Sequence, residues 1–302
     1  MSCRPLAWDH ALWVLVAALV SLELGTGMGF TWFHQTLVVL LFLTLGLPHG
    51  ALDLLLFRRS GGRAGTLTFA TVYLGASTAV LAAWWVAPAW TLVGFLLLSA
   101  WHLGESDFEH LDSLRHPLGF SRGACVVGLP FLVHPEQVSA VLANMGLTGL
   151  WSPAPWNLPM AVALSFQHFL VLVWVRRKAS SGAWNHELIQ SAVLAAAFWV
   201  LHPLLAFALH FTLWHAAAHS IRLRRLTGTD DWKVMLRRAA PWALPAVAAL
   251  GVFVVLGDGL LQLSAAAGPA LVWVSALTVP HAIVVWMSDL TEPRQVWAQR
   301  SF

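Results

Sequence analysis

Residues 157–175 read NLPMAVALSFQHFLVLVWV, and Arg176, Arg177 and Lys178 follow at once. This run carries no acidic residue, lysine or arginine. As a helix it is close to the roughly 20 residues that cross the hydrocarbon core of a bilayer. A basic triplet at its end is the flank that stays on the cytoplasmic side of a membrane. The stretch 268–290, GPALVWVSALTVPHAIVVWMSDL, repeats the pattern near the other end of the chain.

Working outward, apolar segments lie near 11–25, 30–57, 66–87, 89–104, 118–134, 157–175, 187–202, 204–221, 240–257 and 268–290. Hydrophobic residues make up 58% of the 302 positions and charged residues 10%, against about 25% charged in a soluble domain. The mean hydropathy is +0.71. The expected fold is therefore all-α, a polytopic transmembrane bundle of eight to ten spans forming one integral-membrane domain over 1–302. The apolar run near the N-terminus reads as an uncleaved first span. Cys3 and Cys125 are too few for a disulfide framework.

The basic residues orient the bundle. With the N-terminus in the cytoplasm, all 17 Lys and Arg fall in cytoplasmic segments or at their flanks, Arg115 and Arg122 among them. The opposite loops hold none, the asymmetry of the positive-inside rule. Both termini are expected in the cytoplasm, and the location is the cell (inner) membrane. The isoelectric point of about 9.4 does not imply nucleic acid, because the cations are dispersed between apolar spans rather than gathered into a stripe.

Fourteen histidines are many for so apolar a chain. His49, His102, His215, His219 and His281 sit at similar depth in the cytoplasmic leaflet, contributed by four separate spans. An ionisable group inside a membrane is a functional candidate by default. His215 and His219 are four residues apart, so both rings leave one helix face. Neutral imidazoles suit Fe, Zn, Cu or Ni. Within Gly46-Leu47-Pro48-His49-Gly50-Ala51-Leu52-Asp53, Pro48 can kink the span and aim His49 inward. Gly46 and Gly50 let a neighbour approach. Asp53 either orients a ligating imidazole or meets the cytoplasmic interface near Arg58. His281 follows Pro280 as His49 follows Pro48, and reads as a ligand or a group just behind one. His168 shares the depth, whereas His210 points away from His215. His10, His110, His116, His134 and His186 read as solvated.

The runs GLPHGALD at 46–53, WHLGESDF at 101–108, HAAAH at 215–219 and TVPH at 278–281 resemble the Brp/Blh family of bacterial and archaeal membrane proteins. The resemblance implies an all-helical β-carotene 15,15′-dioxygenase that uses Fe(II) and O2 to split β-carotene into two retinals. It implies iron on His49, His102, His215 and His219, with His281 near the site. Substrate would enter from the lipid bilayer, and the product would serve a retinal-binding rhodopsin. Trp101, Phe108, Phe211 and Trp214 are candidate tunnel walls. Rival readings are another membrane oxygenase (a hydroxylase or desaturase), a transporter relaying protons through its histidines, and a non-catalytic assembly factor for a retinal protein.

Overall fold

A computed structural model describes residues 9–108, 115–177, 181–227, 231–256 and 263–291. The termini, with Arg4, Arg294 and Arg300, and also His110, lie outside these residues. The described residues are mostly helical, with no strand among them. The first helices are α1 (Asp9–Thr26) and α2 (Trp32–Leu41), then a π-helical turn (Phe42–Gly46) that runs into α3 (Leu47–Gly50) and α4 (Asp53–Arg59). Next come α5 (Thr66–Val86), α6 (Pro88–Asp107), α7 (Arg115–Val133), α8 (Pro135–Asn144), α9 (Asn157–Arg176) and α10 (Ser181–Val200). A second broken rod joins α11 (Pro203–Leu209), a π-helical turn (His210–Ala216) and α12 (Ala217–Thr227), followed by α13 (Trp232–Leu256) and α14 (Leu263–Thr291).

Helices occupy all the positions expected of spans. Among the described residues, five stretches are long and apolar enough to cross a membrane: Trp32–Arg59, Thr66–Val86, Asn157–Arg176, Pro203–Leu223 and Ala267–Leu290. The pair α7 and α8, bent by 95°, makes up to a sixth. Helices α6 and α10 fall short in apolarity because they carry the polar interior: Ser99, His102 and Glu105 on one, Glu187, Gln190 and Ser191 on the other, all buried. Large apolar side chains cover the outside instead, with Trp85 91% and Leu67 81% exposed. That inversion suits a lipid surround.

The tightest packing is between α6 and α7. A Cβ added to Gly104 would lie 1.8 Å from the Gly119 carbonyl oxygen, and one added to Gly123 would lie 1.7 Å from that of Ala100. Ala100 and Gly104 on one helix thus face Gly119 and Gly123 on the other at four-residue spacing, the small-residue interface by which membrane helices approach backbone to backbone. This close approach draws α6, with His102, into the bundle.

The structure relocates Arg122. Its side chain does not face outward at a helix end but is buried inside the bundle on α7. Its guanidinium meets Glu187 at 3.1 Å and Ser191 at 2.7 Å and lies 4.4 Å over the Phe108 ring. A charge at that depth is tolerated only when paired. His134 and His186 are likewise not solvated: His134 Nε2 bonds the Phe198 carbonyl at 3.0 Å, and the His186 ring lies 5.1 Å from Trp13.

Gly123→Val is expected to drive α6 and α7 apart and leave no monodisperse protein in detergent. Gly75→Ala and Gly94→Ala, which would touch nothing within 4 Å, should elute and melt as the wild type. Size-exclusion chromatography with thermal melts checks both.

Candidate metal centre

Two widened turns set up the site. A π-helical turn carries one extra residue per hydrogen-bonded ring, and such turns gather at functional sites. The turn 42–46 ends just before His49, and the turn 210–216 contains His215. They pack on each other through Phe211, whose ring lies 5.3 Å from Phe42 and 5.3 Å from His49. Gly46 makes room for it, since a Cβ there would press to 3.0 Å of the Phe211 ring. Gly50 lies against His281 and Asp53 at ordinary contact distance.

The rods converge on five imidazoles. His49 comes from α3, His102 from α6, His215 from the second π turn, His219 from α12 and His281 from α14. None is more than 8% exposed. Their ring centroids are close: His49 lies 4.8 Å from His281, 5.6 Å from His215 and 5.8 Å from His219. His102 lies 5.0 Å from His215 and 5.1 Å from His281. Donor atoms of His49, His215 and His281 fall within 4.8 Å of one another, as do those of Asp53, His219 and His281.

Hydrogen bonds decide which nitrogens are offered. His49 Nδ1 contacts the Gly46 carbonyl, which can only accept. Its Nδ1 therefore carries the proton and its Nε2 the lone pair. Asp53 holds His281 rather than His49, its Oδ1 standing 2.8 Å from His281 Nδ1. The Tyr73 hydroxyl donates to Asp53 Oδ2 at 3.0 Å. Nε2 of His49, His215, His219 and His281 is buried without a hydrogen-bond partner. Leaving a buried polar atom unsatisfied costs about 1–3 kcal/mol. Several gathered in one place fit a shared cation that accepts all their lone pairs. Imidazole is a donor that divalent first-row transition metals accept.

Beside the cluster, charged side chains tie the histidine-bearing helices together. Asp289 on α14 takes Arg115 of α7 at 2.6 Å and Arg222 of α12 at 2.5 Å. Arg115 Nε also meets Glu105 of α6 at 3.0 Å. Glu105 lies three residues after His102, Arg222 three after His219 and Asp289 eight after His281. A side-chain clamp on these helices holds their rotation.

An apolar cavity of about 540 Å³ opens on the cluster, lined by His49, His102, His215 and His281, with Phe42, Phe207, Phe211, Phe95 and Trp273 among its walls. Of the four expected tunnel residues only Phe211 faces it. Phe108 is fully buried against Leu118, Leu172 and Val175, and Trp214 packs in the core centred on Leu205 and Phe198. Trp101 and Trp214 each directly precede a cluster histidine, and adjacent helical residues project about 100° apart. Phe211, four before His215, shares its face. His168 is outside the cluster, held between Ser121 at 2.7 Å and Ser191 at 3.0 Å.

Comparison with known proteins agrees with this architecture. A family model described as Beta-carotene 15,15'-dioxygenase matches residues 40–288. The chain belongs to that family. The span contains all five clustered histidines with Asp53 and Tyr73. Among curated relatives of the family, the probable beta-carotene 15,15'-dioxygenase Blh of Halobacterium salinarum is 28% identical over 279 residues, 80% of this chain and 81% of the relative. The beta-carotene 15,15'-dioxygenase of uncultured marine bacterium 66A03 is 30% identical over 271 residues, 84% of this chain and 92% of the relative. No solved structure matches the chain.

Sequence reasoning passed over Tyr73, Asp289 and the two π turns. Tyr73 is the only tyrosine in the chain, a polar ring in the middle of an apolar helix, and that was the available signal. Asp289→Ala removes a carboxylate from two arginines, of which Arg222 has a side chain only 4% exposed. The expected destabilisation is about 3 kcal/mol, read as a lowered midpoint in a detergent-phase thermal melt, with Asp289→Asn falling between.

Proposed function

We propose that the protein cleaves β-carotene at its central 15,15′ double bond with O2, using iron(II) held by His49, His102, His215 and His219. The observation that carries this reading is the convergence of buried imidazole lone pairs from separate helices on the wall of a deep apolar cavity. Membership of the dioxygenase family supplies the reaction. In it the bond between C15 and C15′ breaks and each carbon takes one oxygen atom of O2. Two aldehydes result, with no further oxidant or proton consumed.

The residues divide the work. Bound iron would supply the binding and activation of O2, which no amino-acid side chain provides. The neutral imidazoles leave its charge uncancelled, in contrast to a site with carboxylate ligands. Phe211 stacks 5.7 Å from His215 and spaces the polyene from the ligand rings. The apolar walls exclude water and hold one stretch of the polyene against the centre.

Substrate arrives from the lipid. Leu74, Trp242 and Trp273 line the cavity and are also 62%, 37% and 45% exposed. They stand on α5, α13 and α14, and mark a mouth between helices that opens sideways to the bilayer. A carotenoid dissolved in the inner membrane would reach the centre there without crossing water. The retinal released the same way is available to a retinal-binding rhodopsin.

The chain expressed in bacteria that accumulate β-carotene should deplete the pigment and yield retinal on chromatography. His49→Ala, His102→Ala, His215→Ala and His219→Ala should each abolish retinal while the protein still accumulates. A folded, iron-loaded wild type that leaves β-carotene untouched overturns the reading. Purified protein stripped with a chelator should regain activity with Fe(II), and under ¹⁸O2 each retinal should carry one labelled oxygen, read by mass spectrometry.

A further inference from the structure

Four histidines from three helical rods account for the proposed ligand set, and a fifth stands among them with a different tether. We propose that His281 is a ligand of the same metal and that Asp53 and Tyr73 are its positioning residues. The proposal rests on the reading of the cluster as a metal centre.

His281 stands against three of the four. Its centroid lies 4.8 Å from His49, 5.1 Å from His102 and 5.2 Å from His219. It is the one residue common to both groups of closely spaced donor atoms. Its two nitrogens have unlike surroundings. Nδ1 is 2.8 Å from Asp53 Oδ1, while Nε2 is buried without a hydrogen-bond partner. A carboxylate on Nδ1 keeps the proton there and presents Nε2 as a lone pair, the arrangement of a metal-bound histidine braced from behind.

Asp53 is itself braced. Its second oxygen takes the Tyr73 hydroxyl at 3.0 Å, and that hydroxyl also lies 3.2 Å from the Leu277 carbonyl, one turn before His281 on the same helix. Asp53 is 2% exposed. The tether also joins α4, α5 and α14 across the chain, so the rotation of His281 is set from outside its own helix.

The test uses the full-length protein in detergent, loaded anaerobically with Fe(II). Iron retention is measured against a competing chelator, and the nitric oxide adduct is examined by electron paramagnetic resonance. His281→Ala should weaken iron retention by about 100-fold and alter the nitrosyl signal, and added imidazole should restore the wild-type signal. Asp53→Asn should weaken retention by about 10- to 100-fold, and Tyr73→Phe by less, with the same direction of spectral change. His168→Ala, a buried histidine outside the cluster, should leave the spectrum unchanged. If His281→Ala keeps the wild-type affinity and spectrum while His215→Ala loses iron, His281 is no ligand. If His281→Ala does not fold, Asp53→Asn decides, because an unaltered spectrum there also overturns the proposal. A wild type that holds no iron sinks the metal centre as a whole, an outcome distinct from the loss of His281 alone.

Discussion

A lone pair buried in a membrane protein has no water to turn to. Five imidazoles packed close to one another make that constraint collective, since lone pairs facing a common point cannot satisfy each other. Neutral histidine has one donor and one acceptor, and where the donor is anchored outward the acceptors are left facing inward. The surrounding architecture follows from this requirement. It anchors Nδ1 of His49 and His281, brings the helices close enough for the rings to meet, and keeps the space above them apolar.

Each helix contributes in a different manner. Backbone contact between α6 and α7 sets the depth of His102, where a side chain larger than hydrogen at Gly104 or Gly123 would collide with a carbonyl. The Asp289 bridge between Arg115 and Arg222 links α7, α12 and α14 beside the rings. Buried ion pairs add little net stability when both partners are desolvated. What they do provide is a preferred rotation, and rotation is what a ligand set needs. The buried Arg122–Glu187 pair serves the same purpose on the side of α10, away from the cavity.

Much of this was legible in the residues alone. Hydropathy located the long helices, although α8 (Pro135–Asn144) falls between the expected spans, and distance from the basic flanks grouped His49, His102, His215, His219 and His281, which the fold brings together. Depth is a one-dimensional quantity, and a sequence conveys it well. Azimuth is not. Trp101 and Trp214 seemed plausible walls by proximity in sequence, yet the helix turns them aside, and Phe108 lies beyond the last turn of its helix in a separate cluster. His168 had the right depth and the wrong face. Arg122 read as a membrane flank because its partner Glu187 is 65 residues away. The Tyr73–Asp53–His281 chain spans more than 200 positions, and no local pattern reports a contact of that kind.

The π turns have a consequence for how such a site changes over generations. A π turn is an α-helix that has accommodated one additional residue. Deleting one residue between 210 and 214 would restore regular winding with the flanking helices in place, whereas an uncompensated insertion would shift one flank by about 100° and 1.5 Å. The residues of the turn itself, Phe211 and His215 among them, would then project at new angles. The two bulges therefore work as a phase adjustment, separating the register that packs the bundle from the register that aims the rings. A lineage can reshape the cavity by substitution at many positions, but length changes within these two short segments are closed to it.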